Sequence, residues 1–174
     1  MSGATRRAFV LTISDRSARG ERDDTSGPAL AERLAALGYE VDRAVVPDEA
    51  KQIARAVKEA ATDHLLVVTT GGTGMGPRDV TPQALRTIVD YEVPGFGEAM
   101  RAEGRASTPF AILSRSFGAV IGQTLVLALP GSPRGALESL DAVAAVLDHA
   151  AEMLGAPLDA APLDAAPLHV SRDA

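Results

Sequence analysis

The chain has 174 residues, a formal net charge of −6 and no cysteine. Disulfides, thiolate nucleophiles and cysteine-ligated zinc are thereby excluded. The acidic balance, with four Phe, two Tyr and no Trp, speaks against a nucleic-acid surface, which needs clustered basic charge and stacking rings.

The length suits one domain with a real interior. No apolar run approaches the ~20 residues that span a bilayer, and Met1–Arg7 carries no apolar signal core, so a cytoplasmic protein is expected. His64, His149 and His169 are too scattered along the chain to make a metal cluster.

Ala8–Ser14 is an apolar, β-branched run and reads as a buried strand. It opens into a long polar loop, Asp15–Gly27, of the kind that is more often functional than idle. Pro28 starts a helix with Leu30, Leu34 and Leu37 on one face, and Gly38 stops it. Tyr39–Val46 gives a second strand ending in Pro47-Asp48-Glu49. Glu49–Thr62 follows as an amphipathic helix with Ile53 and Val57 on one side. The third strand, Leu65–Thr70, runs into Gly71-Gly-Thr-Gly-Met-Gly-Pro-Arg-Asp79, and Thr81-Pro82 reads as the cap and first turn of a helix to about Val89.

Beyond Pro94-Gly-Phe-Gly97 a helix is expected over Glu98–Glu103. Pro109–Ser116 is ambiguous, and Gly118–Gly122 is a strand or a turn. Thr124–Leu129 is a buried strand that ends in Pro130-Gly-Ser-Pro-Arg134. Ala136–Leu154 keeps Leu137, Leu140, Val143 and Met153 at helical spacing, one long closing helix. Residues 156–169 repeat a five-residue unit with one proline per copy, which interrupts helix and sheet alike. The expectation is a domain over residues 1–155 and an extended or disordered tail over 156–174. Strands alternating with helices imply an α/β domain whose mainly parallel sheet is covered on both faces.

In such a sheet the segments that follow the strands lie along one edge, where ligands usually bind. Those segments are Ser14-Asp15-Arg16, Pro47-Asp48-Glu49, Gly71–Asp79 and Pro130–Arg134. The glycine loop is neither a P-loop, having no Lys after its last Gly, nor G-x-G-x-x-G, because Pro77 stands where the third glycine would be. Its uncovered amides and the helix start suit a phosphate. Carboxylates at Asp15, Asp48 and Asp79 would share Mg²⁺ with phosphate oxygens. These are the parts that phosphoryl or nucleotidyl transfer requires.

A plainer reading of each part stays open. The glycines serve only a tight turn; Asp48 caps the helix near Glu49, Asp79 caps near Thr81, and Ser132 caps the last helix. Asp15, Asp23 and Asp24 are solvated loop charges, and Arg101 and Arg105 are surface residues.

Thr69-Thr-Gly-Gly-Thr-Gly74 with Arg78-Asp-Val-Thr-Pro82 closely resembles the signature of the molybdopterin-binding Mog/MoaB family. Pro94–Arg101, Leu113-Ser-Arg115 and Leu129–Pro133 resemble its later blocks. Thr12–Asp15, Asp24–Pro28 and Pro47–Glu49 resemble earlier ones, in collinear order over roughly residues 8–155. The resemblance implies a three-layer α/β/α fold, a homotrimer, and transfer of AMP from Mg-ATP to the terminal phosphate of molybdopterin with release of pyrophosphate. It implies Asp48 and Asp79 as the essential acids and Mg²⁺ ligands. Ser14, Asp15, Ser26, Gly27, Gly71, Gly72, Thr73, Gly74, Thr81, Pro130, Gly131 and Ser132 form the substrate-binding set. With no second, larger domain in the chain, a separate molybdate-insertion protein would receive the product. A pterin carrier without chemistry, and a generic nucleotide-binding domain, are the two alternatives of other classes.

Overall fold

Side chains that alternate between two covered faces organise the molecule. In the computed structural model, which describes residues 6–155, the elements in order are β1 (Arg7–Ile13), α1 (Asp15–Ala18), α2 (Ser26–Ala36), β2 (Glu40–Val46), α3 (Ala50–Ala60), β3 (Leu66–Thr70) and α4 (Thr81–Arg86). They continue as β4 (Tyr91–Val93), α5 (Pro94–Ser107), β5 (Phe117–Ile121), β6 (Thr124–Leu129), α6 (Pro133–Val143) and α7 (Leu147–Gly155). The tail expected to be extended, 156–174, lies outside the described residues.

The six strands form one sheet in the order β2-β1-β3-β6-β5-β4. β1 runs parallel to β2 and β3, and β3 parallel to β6 with Leu66 opposite Leu125; β5 and β4 continue antiparallel. Every residue of β3 and β6 is buried, as strands covered on both faces must be. Val10, Leu66, Val68, Leu125 and Leu127 pack on one face with Leu30, Leu34, Met100 and Leu140 of α2, α5 and α6. Leu11, Val67 and Val126 pack on the other with Ile53, Val57 and Leu85 of α3 and α4. The result is the expected three-layer α/β/α domain.

Several boundaries differ from the sequence reading, each for a local reason. The Asp15–Gly27 loop holds a four-residue helix, α1, whose N-cap Ser14 accepts the Ser17 N–H, and α2 begins at Ser26 rather than Pro28. α5 extends over fourteen residues although Gly95, Gly97 and Gly104 weaken its helix propensity. A Cβ on Gly97 would stand 2.6 Å from Ser116 O, so close helix–sheet packing selects that glycine. The closing helix is divided by a 3-10 turn at Ala144–Val146. Val143 and Leu147 on either side are both buried, so the apolar spacing carries no mark of the break. The ambiguous 109–116 stretch contains a 3-10 turn, Pro109–Leu113, and the three-residue edge strand β4 was not anticipated.

At the edge of the sheet away from the glycine loop, buried His64 has both ring nitrogens engaged. Nδ1 lies 2.8 Å from Ala60 O and Nε2 2.9 Å from Asp42 Oδ2, with the Phe9 ring at its edge. Arg7 Nη2 donates to the same Asp42 oxygen at 2.7 Å. The His64 bond first, and Arg7 next, hold the Asp42 carboxyl below the usual carboxylate range. A group lowered in the folded state contributes stability above its unfolded value, roughly 3.9. That contribution is lost as pH falls through the lower folded value. Asp42→Asn should lower the urea midpoint at neutral pH, and its difference from wild type should narrow as the pH is taken below about 3.9.

Candidate functional site

The winding of the sheet reverses beside β1. The chain passes from β1 to β2 through α2 on one face and from β2 to β3 through α3 on the other. The crevice at the carboxyl ends of β1 and β3 is therefore a topological switch point. The strand ends approach closely there. Gly71 has φ +110°, a conformation that favours glycine, and a Cβ on it would lie 2.2 Å from Ile13 O. A Cβ on Gly131 would stand 3.2 Å from Gly71 Cα. Thr70 Oγ1 donates to Pro130 O (2.7 Å), Gly71 N–H to Leu129 O (3.2 Å), and Ser26 Oγ to Gly131 O (2.7 Å).

Two residues hold the glycine loop from behind. Thr81 donates its hydroxyl to Gly71 O (2.8 Å) and its N–H to Gly72 O (3.1 Å). It is thus the first residue of α4, not its cap: the N-cap is Val80, without a side-chain bond. Arg115 donates Nε to Gly74 O (2.8 Å), Nη2 to Asp79 O (2.6 Å) and its amide to Thr73 O (2.9 Å). Reading single residues for chemistry passed over Arg115; its only signal was the Leu113-Ser-Arg115 block.

Asp48 and Asp79 face that loop together. A Cβ on Gly72 would lie 3.3 Å from Asp48 Oδ1, and one on Gly74 or Gly76 would lie 2.8 Å from Asp79 Oδ2. Asp79 Oδ2 accepts the Gly76 N–H at 2.8 Å. Asp48 and Asp15 exchange bonds: Asp15 N–H to Asp48 Oδ2 at 2.8 Å, Asp48 N–H to Asp15 Oδ1 at 3.0 Å. Neither acid caps a helix; α3 begins at an N-cap Glu49 with no side-chain bond. Ser132 does cap α6, accepting from Gly135 N–H. Asp24 is no solvated charge, since it accepts from Thr12 Oγ1 (2.8 Å) and Gly27 N–H (2.9 Å). Arg101 is half-buried and donates to Ser116 O (2.8 Å), whereas Arg105 is exposed.

The electrostatics separate the two linked carboxyls. Arg78 grips Asp15 bidentately, Nε to Oδ2 and Nη2 to Oδ1, both at 2.9 Å. That grip holds Asp15 below the usual carboxylate range. Burial above all, with the charges of Asp15 and Asp79, pushes Asp48 above it, against the Asp15 N–H bond and the Arg78 charge. Among the described residues, Oδ1 of Asp48 and Oδ1 of Asp79 accept no hydrogen bond, and no three His, Asp or Glu form a metal cage. Two carboxylates with a spare oxygen each, on a rim of backbone amides, fit Mg²⁺, which takes most of its ligands from phosphate and water.

Three hollows join along the rim. A groove of about 410 Å³ lies between Thr73–Met75, Phe110, Leu113–Ser114 and Pro130–Ser132. A recess of about 40 Å³ opens on the far side of Gly131, bordered by Ser14, Ser26 and Thr70. A third, of about 320 Å³, contains Asp79, Gln83 and Arg115 and shares Met75 with the groove. Met75, Phe110 and Leu113 are exposed apolar side chains, an unusual concentration for a rim of amides and acids.

A family model described as a probable molybdopterin binding domain matches residues 9–149. The chain is 41% identical over 144 residues to the molybdopterin adenylyltransferase of Escherichia coli K12, covering 80% of this chain and 74% of that one. It is 38% identical over 139 residues to the molybdopterin adenylyltransferase of Haemophilus influenzae, covering 77% and 71%. Among solved structures, the molybdopterin biosynthesis enzyme MoaB from Thermus thermophilus superposes with a TM-score of 0.81 at 47% identity, covering 86% of this chain and 96% of that one.

The glycines differ in what an added methyl meets. At Gly71 it meets backbone, in a left-handed conformation, whereas at Gly74 it meets only the end of the Asp79 side chain. Gly71→Ala should cost more than about 2 kcal/mol of stability, and Gly74→Ala less than about 1 kcal/mol. Urea denaturation checks the ranking, and a crystal structure of Gly74→Ala should show the Asp79 carboxylate displaced.

Proposed function

The chain belongs to the molybdopterin-binding domain family, and on that premise we propose that it is a molybdopterin adenylyltransferase of molybdenum-cofactor synthesis. An oxygen of the terminal phosphate of molybdopterin attacks the α-phosphorus of ATP. The bond from that phosphorus to the bridging oxygen breaks, and pyrophosphate leaves with the electron pair. The observation that carries the reading is the convergence of Asp48 and Asp79 on one glycine loop at the switch point.

The chain's own groups divide the work. The groove beside Thr73 and Gly74 offers Met75, Phe110 and Leu113 as an apolar wall for a flat pterin ring. Pro130, Gly131 and Ser132 form its floor, where the phosphate of the pterin substrate meets the start of α6. Ser14 and Ser26 border the recess across Gly131, with Gly27 next in sequence, and take part of the nucleotide. Asp48 and Asp79 would hold Mg²⁺, which would supply positive charge to the leaving pyrophosphate. Asp48, raised by burial and by its acidic neighbours, would be favoured in its charged form by such a cation. Thr81 and Arg115 keep the loop in place from behind. The reading extends to a homotrimer in the cytoplasm that hands its product to a separate molybdate-insertion protein.

Incubation with molybdopterin, Mg²⁺ and ATP should release pyrophosphate and form adenylyl-molybdopterin. Asp79→Asn and Asp48→Asn should each lower turnover by roughly 10²–10³-fold with molybdopterin still bound, as followed by pyrophosphate release and by fluorescence of the pterin. A wild-type protein that binds molybdopterin yet never consumes ATP would be a carrier. One that binds ATP with no preference for molybdopterin would be a generic nucleotide-binding domain.

A further inference from the structure

Asp15 stands in the substrate-facing set by resemblance, yet its carboxylate is committed to the protein. Oδ1 accepts the Asp48 N–H at 3.0 Å and Arg78 Nη2 at 2.9 Å; Oδ2 accepts Arg78 Nε at 2.9 Å. Asp48 Oδ2 in turn accepts the Asp15 N–H. Arg78 immediately precedes Asp79, whose own oxygen is fixed by Gly76. A continuous chain of bonds therefore runs from the Asp48 turn after β2, through the Asp15 turn after β1, to the glycine loop after β3. Among the described residues no hydrogen bond joins the Asp48 turn directly to Gly71–Asp79.

Building on the adenylyl-transfer reading, we propose that Asp15 and Arg78 are positioning residues that act as one strut, fixing the Asp48 and Asp79 carboxylates relative to each other for Mg-ATP. The planar guanidinium fork matches a carboxylate on two parallel bonds, which a lysine ammonium does not reproduce. With Nε and Nη2 both turned onto Asp15, Arg78 is oriented toward its partner acid rather than toward a phosphate. Loss of a group that orients a metal-binding side chain typically costs roughly 10–100-fold in metal affinity or activity.

A double-mutant cycle tests this on the full chain. Asp15→Ala and Arg78→Met should each lower kcat by roughly 10–100-fold, with KM for molybdopterin unchanged. The double variant should be no worse than the poorer single one, because both remove the same strut. Arg78→Lys should recover little. If Arg78 gripped a phosphate itself, Arg78→Met would raise KM for ATP, Asp15→Ala would spare it, and the losses would multiply; that outcome overturns the proposal. Should Asp15→Ala fail to fold, Asp15→Asn takes its place, since it keeps an acceptor for the Asp48 N–H but opposes the Arg78 donors.

A second measurement needs no turnover. Amide hydrogen exchange of Asp48 in the ligand-free protein, read by NMR, should quicken by about tenfold in Arg78→Met as the Asp15 carboxylate loses its anchor. Unchanged exchange there overturns the strut. A wild-type protein that never releases pyrophosphate defeats the adenylyl-transfer reading alone, and the exchange result still decides on the strut.

Discussion

The approach of β3 and its following turn to Ile13 on one side and Gly131 on the other leaves no room for a side chain at Gly71. That steric limit governs the architecture of the rim. It draws the turns after β1, β3 and β6 into one place, and the parallel register of the three strands delivers those turns at the same level. The two apolar layers behind them hold the strands rigidly, since β3 and β6 are sealed on both faces. Short loops on such a scaffold present amides and side chains with little freedom to move, which is what binding an extended anionic ligand requires.

Charge is distributed over the rim so that neighbouring carboxyls play different parts. Asp15 is neutralised by a bidentate arginine, while Asp48, linked to it by reciprocal bonds, is left partly desolvated and short of positive charge. The site thus holds an electrostatic deficit of the kind that added positive charge relieves. The exposed apolar residues of the neighbouring groove supply the complementary property, a surface that accepts a ring. One end of the rim suits charge and the other a heterocycle, and molybdopterin with ATP brings both.

The alternation of strands and helices, the covering of both faces and the strand-end placement of Asp48, Asp79 and Ser132 were legible because they follow from apolar periodicity and from cap and turn chemistry. What escaped notice depended on tertiary contacts. Thr81 looked like a cap because Thr before Pro usually is one, but the carbonyl of Gly71, ten residues earlier, takes its hydroxyl instead. Asp24 and Arg101 looked solvated because nothing local engages Asp24 beyond Gly27, and nothing local engages Arg101 at all; their partners Thr12 and Ser116 lie on distant strands or strand ends. α5 runs longer than its sequence suggests because propensity counts Gly95, Gly97 and Gly104 as breakers, whereas the close approach of Ser116 demands the glycine at 97. Arg115 showed only as part of the Leu113-Ser-Arg115 block, because clasping backbone carbonyls leaves no periodic or catalytic signature.

The pairing of β3 with β6 places Leu66 opposite Leu125, a separation of about 60 residues that must be closed before the central sheet is complete. On the ribosome, β1, α2, β2, α3 and β3 emerge with mutual contacts available, whereas the floor of the groove arrives only with Pro130–Ser132. A nascent chain therefore owns its acids and its glycine loop well before it owns a cavity, and competence to hold substrate is conferred by one of the last long-range closures in the order of synthesis.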